Sequence, residues 1–273
     1  MFSRSTDGGD TWEPVKKLYD PGGLNQTIGN QIVVLPDGTL IDFFNEILNF
    51  RNDDGGSKFD FNLSIKYSEN KGKRWLPRGR PIRTNKIFSL GAVTPDKKIT
   101  VRDASILFDV AVDPESGALY AVWQDTRFNG IEEVAFTMST DGGFTWSEPI
   151  KVNQTPDNTV NPLREQAFLP SVEVANGVVG VSYYDFREDD DSGELADHWF
   201  VYCEESCSDP DNWEENEIRL TDTSFDYLEA PFANGLFLGD YVGLASDGAR
   251  FGAFFQQSST TDPANGFFRW VTP

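Results

Sequence analysis

The chain has 273 residues, 38% hydrophobic and 14% aromatic, which is enough apolar material for a large buried core and unlike a disordered or fibrous chain. A formal charge of −21, with no run of Lys or Arg, excludes a phosphate-binding nucleic-acid surface. A single histidine argues against a Ser-His-Asp triad and leaves too few ligands for a histidine-rich metal site.

Abundant Phe, with 24 glycines and 15 prolines spread along the whole length, favours many short strands joined by turns, so the class is all-β. No segment reaches the roughly 18 to 20 apolar residues of a membrane span, and no basic region followed by an apolar one opens the chain. Met1-Phe2-Ser3-Arg4 runs directly into a turn motif. The chain is therefore expected to begin inside a structural unit, with further repeats and a signal peptide upstream.

That first motif is Ser5-Thr6-Asp7-Gly8-Gly9-Asp10-Thr11-Trp12, followed by a short strand at 14–18. Alternation and short apolar runs predict a first full unit with strands at 31–35, 40–44 and 62–67. A weaker copy of the motif follows, Ser68 to Trp75 with Asn70 for Asp and Arg74 for Thr, and then a strand at 80–84. The second unit has strands at 106–112, 118–124 and 133–138, a full copy of the motif from Ser139 to Trp146, and a strand at 149–152. The third has strands at 171–174, 177–184, 198–203 and 217–220, with an eroded copy at Ser208-Asp209-Pro210-Asp211-Asn212-Trp213. The fourth has strands at 241–245, 251–256 and 266–270, with neither motif nor last strand.

In such a motif the Asp accepts hydrogen bonds from turn amides, the glycines supply positive φ, and the Trp packs under the turn. Asp7, Trp12, Asn70, Trp75, Asp141 and Trp146 are thus expected to be structural. A fixed period fixes architecture. The expectation is a single β-propeller domain over 1–273, with repeats at 1–20 (partial), 21–85, 100–153, 165–221 and 237–273. About four blades make a small ring, so a parent ring of six or seven is expected.

Cys203 and Cys207 lie four apart, too few for a metal cage and unlike Cys-x-x-Cys. They read either as a local disulfide of an extracellular protein or as two inert thiols. The acidic run 188–194 reads as a solvated loop, with a structural Ca²⁺ site as the alternative. No other cofactor is expected.

The Ser-x-Asp-x-Gly-x-Thr-Trp turns within four-strand units resemble the Asp-box (BNR repeat) propellers of the sialidase superfamily over essentially the whole chain. The segments at 25–32, 121–127, 182–187 and 237–241 are similar to bacterial exo-sialidase-like proteins. The resemblance implies an extracellular or cell-surface location, lost N-terminal blades, and glycoside hydrolysis releasing terminal acidic sugars from a glycan. The Phe/Tyr-Arg-Ile-Pro segment that carries one arginine of the sialidase triad is absent. Asp boxes also occur in lyases and noncatalytic propellers, so a uronate lyase and a glycan- or protein-binding propeller stand as alternatives.

Strands in a blade run up and down, so the loops joining strands two to three, and strand four to the next strand one, open opposite the Asp boxes. Eight polar clusters are expected there: Asn30-Gln31, Asn45-Glu46, Arg102-Asp103, Gln124-Asp125 with Arg127, Arg164-Glu165-Gln166, Tyr184-Asp185 with Arg187, Asp240-Tyr241 and Gln256-Gln257. For sialoside hydrolysis, Arg102, Arg127, Arg164 and Arg187 are the candidate clamps on a substrate carboxylate. Asp103 or Asp125 is the candidate acid, and Tyr241 or Tyr184, with Glu165 or Asp240, the candidate nucleophile pair. Asp125 with Arg127, and Asp185 with Arg187, read equally as ion pairs that tie off loops. One of Tyr183 and Tyr184 is expected in the core. His198 is expected as a surface or strand residue rather than a base.

Overall fold

The computed structural model describes residues 1–51, 57–190 and 194–273. Their packing forms two compact units, Met1–Lys86 and Ile87–Pro273.

The first unit is built on an antiparallel meander of β1 (Gln26–Val34), β2 (Leu40–Arg51), β3 (Ser57–Ser68) and β4 (Ile82–Ile87). The β1–β2 turn closes with Gly38 N–H donating to the Leu35 carbonyl at 2.8 Å, and Gly38 sits at φ +86°, where a side chain would be strained. β1 and β2 are longer than expected. Asn30 and Gln31 therefore lie within β1, and Asn45 and Glu46 within β2, rather than in loops beside them. Residues 1–16 form a hairpin closed by paired backbone bonds between Phe2 and Lys16, and the Phe2 ring meets Trp75 edge-on at 5.2 Å.

The second unit carries three sheets. The first is β5 (Phe108–Val112), β6 (Leu119–Asp125), β7 (Glu133–Ser139) and β8 (Ile150–Lys151). The second is β9 (Ala167–Ala175), β10 (Val178–Asp185), β11 (Leu195–Cys203) and β12 (Glu217–Arg219), with β13 (Phe225–Asp226) also paired to β11. The third has three strands, β14 (Gly243–Ser246), β15 (Phe251–Gln257) and β16 (Asn265–Val271).

The middle sheet is covered on both faces. Val179, Val181 and Tyr183 join a cluster with Val122, Phe136 and Trp213, while Tyr184 joins another with Phe168, Phe251 and Phe255. This explains why β10 reads as an almost unbroken apolar run. It also corrects the expectation that only one of Tyr183 and Tyr184 is core: both are fully buried.

The three turn motifs share one hydrogen-bond pattern. The serine oxygen accepts from the glycine amide four residues on, Gly9, Gly72 or Gly143, at 2.8 to 3.0 Å. An oxygen of Asp7, Asn70 or Asp141 accepts from the amide of Thr11, Arg74 or Thr145, at 2.8 to 2.9 Å. Asn serves because only a carbonyl-type acceptor is needed there. Hydrogen bonds from Ser5 and Thr11 hold the Asp7 carboxyl down at about 2. The tryptophans differ. Trp75 is buried and Trp146 donates to the Gly143 carbonyl at 2.9 Å, but Trp12 is 65% exposed and does not pack under its turn. The eroded copy has become a short 3-10 turn, Pro210–Trp213, capped by Asp209. Its Trp213 is fully buried and donates to the carbonyl of Cys207, which is joined to Cys203 by a disulfide.

Gly180 lets β10 approach the aromatic side of the core. A Cβ there would lie 2.6 Å from the Phe200 ring and 2.8 Å from Phe251. Gly180→Ala should therefore cost about 1 to 3 kcal/mol through overpacking, read as a lower urea midpoint; an unchanged midpoint would show that this contact relaxes freely.

Candidate functional site

In the second unit, β5, β9 and the segment entering β14 converge on a polar gap of about 50 Å³. Asp103, Asp109, Gln124, Ser171, Asp240 and Tyr241 contribute its polar side chains.

Two local departures from regular strand geometry shape it. In β9 the pairing jumps from Ser171 opposite Ser182 to Phe168 opposite Tyr184, so Leu169 and Pro170 bulge against the single Tyr183. Leu169 takes φ +52° and Ala104, beside Asp103, φ +49°, left-handed conformations that cost side-chain-bearing residues about 1 kcal/mol or more. Gln124 holds both places. Its amide nitrogen donates to Asp103 at 2.8 Å and its oxygen accepts from the Leu169 amide at 3.1 Å.

Asp103 also accepts from the amides of Ala92 at 2.6 Å and Ser105 at 3.1 Å. Burial pushes its carboxyl up, against the pull of these three donors. The preceding residues 100–102 pair in parallel with Leu236, bringing backbones so close that a Cβ on Gly235 would lie 2.8 Å from the Thr100 carbonyl. That pairing delivers Arg102 to Asp240. The guanidinium grips it with Nε at 3.1 Å and Nη2 at 3.0 Å while lying over the Phe237 ring at 4.3 Å. Asp109 accepts from the Ser171 hydroxyl at 2.6 Å and the Val172 amide at 3.0 Å. Tyr241 lies in the segment before β14, not in the strand as expected, and is 62% exposed.

Of the expected site residues, the gap thus gathers Asp103, Asp240, Tyr241 and, through its ion pair, Arg102. The others are placed elsewhere. Asp125 is fully buried and holds Arg127 through Nε at 2.9 Å and Nη2 at 2.8 Å, with the Trp123 indole donating at 2.6 Å. Asp185 is fully buried too. It binds Arg187 at 2.5 Å, Thr155 at 2.8 Å and the Trp199 indole at 2.8 Å. Arg187 further pairs with Glu217, whose carboxylate also receives the Tyr183 hydroxyl. Tyr184 spends its hydroxyl on the backbone of Gln256. Glu165 accepts from the Asn158 amide and from Asn129, and Arg164 binds Asp189 at 2.9 Å. Arg127, Arg164 and Arg187 are thus each paired with an internal carboxylate, as Arg102 is with Asp240.

In the first unit, Asn30 donates to buried Asp42 at 3.1 Å, and Glu46 receives Tyr19 and Arg83. Burial raises the Asp42 carboxyl to about 6. The acidic run is not simply solvated where it is described. Asp189 is buried on Arg164, and buried Glu194 accepts from the amides of Asp96 and Lys97. Its residues 191–193 lie outside the described residues. Among the described residues, no group of three or more His, Cys, Asp or Glu is placed to hold a metal ion, and no helix is long and apolar enough to cross a membrane.

Asp109 and Ser171 escaped the sequence reading because each lies inside a strand. The signal was present for Asp109, flanked by Phe108 and Val110 and so facing the other way. Buried Glu132, which accepts from the Leu90 and Gly91 amides at 2.6 and 2.8 Å, had none.

No family model matches the chain, and no curated protein sequence matches it. Among solved structures it is similar to a protein of unknown function from Dyadobacter fermentans, with a TM-score of 0.51 at 15% identity, covering 99% of this chain and 67% of that one. It is also similar to an alpha-L-arabinofuranosidase of Fusarium graminearum, with a TM-score of 0.47 at 12% identity over 94% of this chain and 66% of that one. An alpha-L-arabinanase of Penicillium chrysogenum gives 0.49 at 16% identity over 99% of this chain and 84% of that one. The first likeness speaks to the fold alone.

His198 is buried in β11, not at the surface. Its ring lies 4.3 Å from Tyr184 and 4.7 Å from Phe255, and among the described residues neither nitrogen has a hydrogen-bond partner. Burial pushes its pKa down to about 3. The unfolded chain binds this proton near pH ~6.5, so His198 removes stability progressively as pH falls from there towards 3. Asp185, raised to about 6 by burial, works in the opposite sense and gains stability as pH falls through 6. Comparing wild type with His198→Phe isolates the first effect: their unfolding midpoints should diverge below pH ~6.5, with wild type losing more. Parallel pH profiles would contradict a neutral buried imidazole.

Proposed function

We propose that the four sheets are blades of one β-propeller domain of the sialidase-like Asp-box type, a secreted carbohydrate-active protein that hydrolyses glycosidic bonds at the gap between β5, β9 and Tyr241. The observation that carries this reading is the meeting of Asp103, Asp109 and Asp240 with an exposed Tyr241 around one gap. A carboxyl raised by burial suits proton donation to a leaving oxygen, the role given to Asp103. Asp240 and Tyr241 form the second functional element, as a carboxylate-assisted tyrosine nucleophile. The disulfide between Cys203 and Cys207 fits an oxidising compartment.

Release of a terminal acidic sugar, the exo-sialidase-like version, rests on Arg102 alone among the four arginines, and a substrate carboxylate would have to exchange with Asp240 for its fork. A lyase would use the same Arg102 to neutralise a uronate and Tyr241 as base.

Assays of the purified protein on fluorogenic glycosides, a sialoside among them, should show turnover that Asp240→Asn and Tyr241→Phe each lower by about 100-fold or more in kcat/KM. Products absorbing in the ultraviolet from a uronate polymer would identify a lyase instead. Glycan binding without turnover of any glycoside would leave a noncatalytic propeller and overturn the hydrolase reading.

A further inference from the structure

A second cleft in the Ile87–Pro273 unit, sharing no residue with the first, has a volume of about 430 Å³, within the roughly 300 to 1,000 Å³ of small-molecule sites. One wall is the connection from β12 to β13 and the turn after it; the other is the β15–β16 connection. The walls are fixed to one another. The Ser258 hydroxyl donates to the Asp226 carbonyl at 2.8 Å, and Ser224 is held by Asp197 at 2.9 Å and by Arg219 at 2.7 Å. Such a cleft is preformed, so a ligand would not have to order it.

Its chemistry contrasts with that of the first gap, where every carboxylate is engaged. Among the described residues, the side chains of Glu229, Gln257 and Asn265 make no hydrogen bond or ion pair, although all three line the cleft. Phe267, stacked on Phe255 at 5.9 Å, supplies an apolar wall. Among the described residues, no Lys or Arg lines the cleft, so it offers no fork for a carboxylate or phosphate. Asp226 spends one oxygen on the amides of Glu194 and Leu228, so among the described residues Glu229 is the one carboxylate of the lining with neither oxygen engaged, and no group of three or more acidic residues gathers to hold a metal ion.

A ligand matching this set is uncharged, offers several donors and acceptors, and presents one apolar face to an aromatic ring. We propose that this cleft binds a neutral saccharide of one or two residues, with Glu229 and Gln257 taking its hydroxyls and Phe267 its C–H face. The proposal stands independently of the reaction assigned to the first gap.

Calorimetric titration with lactose, cellobiose and maltose, and with N-acetylneuraminic acid as the anionic comparator, tests it. Saturable binding of at least one neutral disaccharide is expected, weakened about tenfold by Glu229→Ala and by Gln257→Ala, as loss of a good hydrogen bond does. Asp240→Asn should leave that affinity unchanged. The two cleft residues are not buried, so neither substitution threatens the fold. No saturable binding of any of the three disaccharides would overturn the proposal. So would tighter binding of the acidic sugar, or a loss of binding on Asp240→Asn with none on the two cleft substitutions.

Discussion

A buried carboxylate at the last residue of a second strand, gripped by the guanidinium two residues on and by a tryptophan indole, is the interaction on which the second unit turns. Asp125 with Arg127 and Trp123 closes β6, and Asp185 with Arg187 and Trp199 closes β10. The carboxylates are fully buried, so each fork compensates a charge that would otherwise be costly. Arg187 extends its fork to Glu217 beside Tyr183, and Thr155 of the preceding loop joins on Asp185, so one charge cluster links β10, β12 and a neighbouring loop. Holding the strand ends this way engages both arginines in internal ion pairs.

Part of the polar lining of the gap is delivered where backbone geometry departs from the regular strand. The bulge at Leu169, the left-handed Ala104 and the close parallel pairing at Gly235 carry Ser171, Asp103 and Arg102 to one gap, and the Gln124 amide bridges Asp103 and the Leu169 backbone. Strain of this kind persists where surrounding hydrogen bonds over-determine it.

The strand pattern was largely legible, because alternation and the repeated turn motif are local signals. β6, β7, β10 and β15 fall within a residue or two of where periodicity puts them. Less legible was whether an Asp-x-Arg spacing meant a clamp or a tie. The same two residues serve either purpose, and what surrounds the carboxylate, an indole from the next strand in the case of Asp185, is set by tertiary packing. The bulge at Leu169-Pro170, the depth of His198, and the cleft around Glu229 and Gln257 depend on which sheets stack on which. Periodicity within one strand carries no information about that. Trp12 shows the reverse limit: an identical motif does not guarantee identical burial, since its neighbours determine what covers it.

The claim that the strand-end arginines are structural is tested most directly by a double-mutant cycle on Asp125 and Arg127, read by urea unfolding. Asp125→Leu and Arg127→Met should each destabilise by about 3 kcal/mol, because each leaves a buried charge or donor unpaired, while the double variant loses about 1 to 3 kcal/mol less than their sum. An Arg127→Met protein that unfolds at the wild-type midpoint while losing glycan turnover would contradict the account and return Arg127 to the substrate.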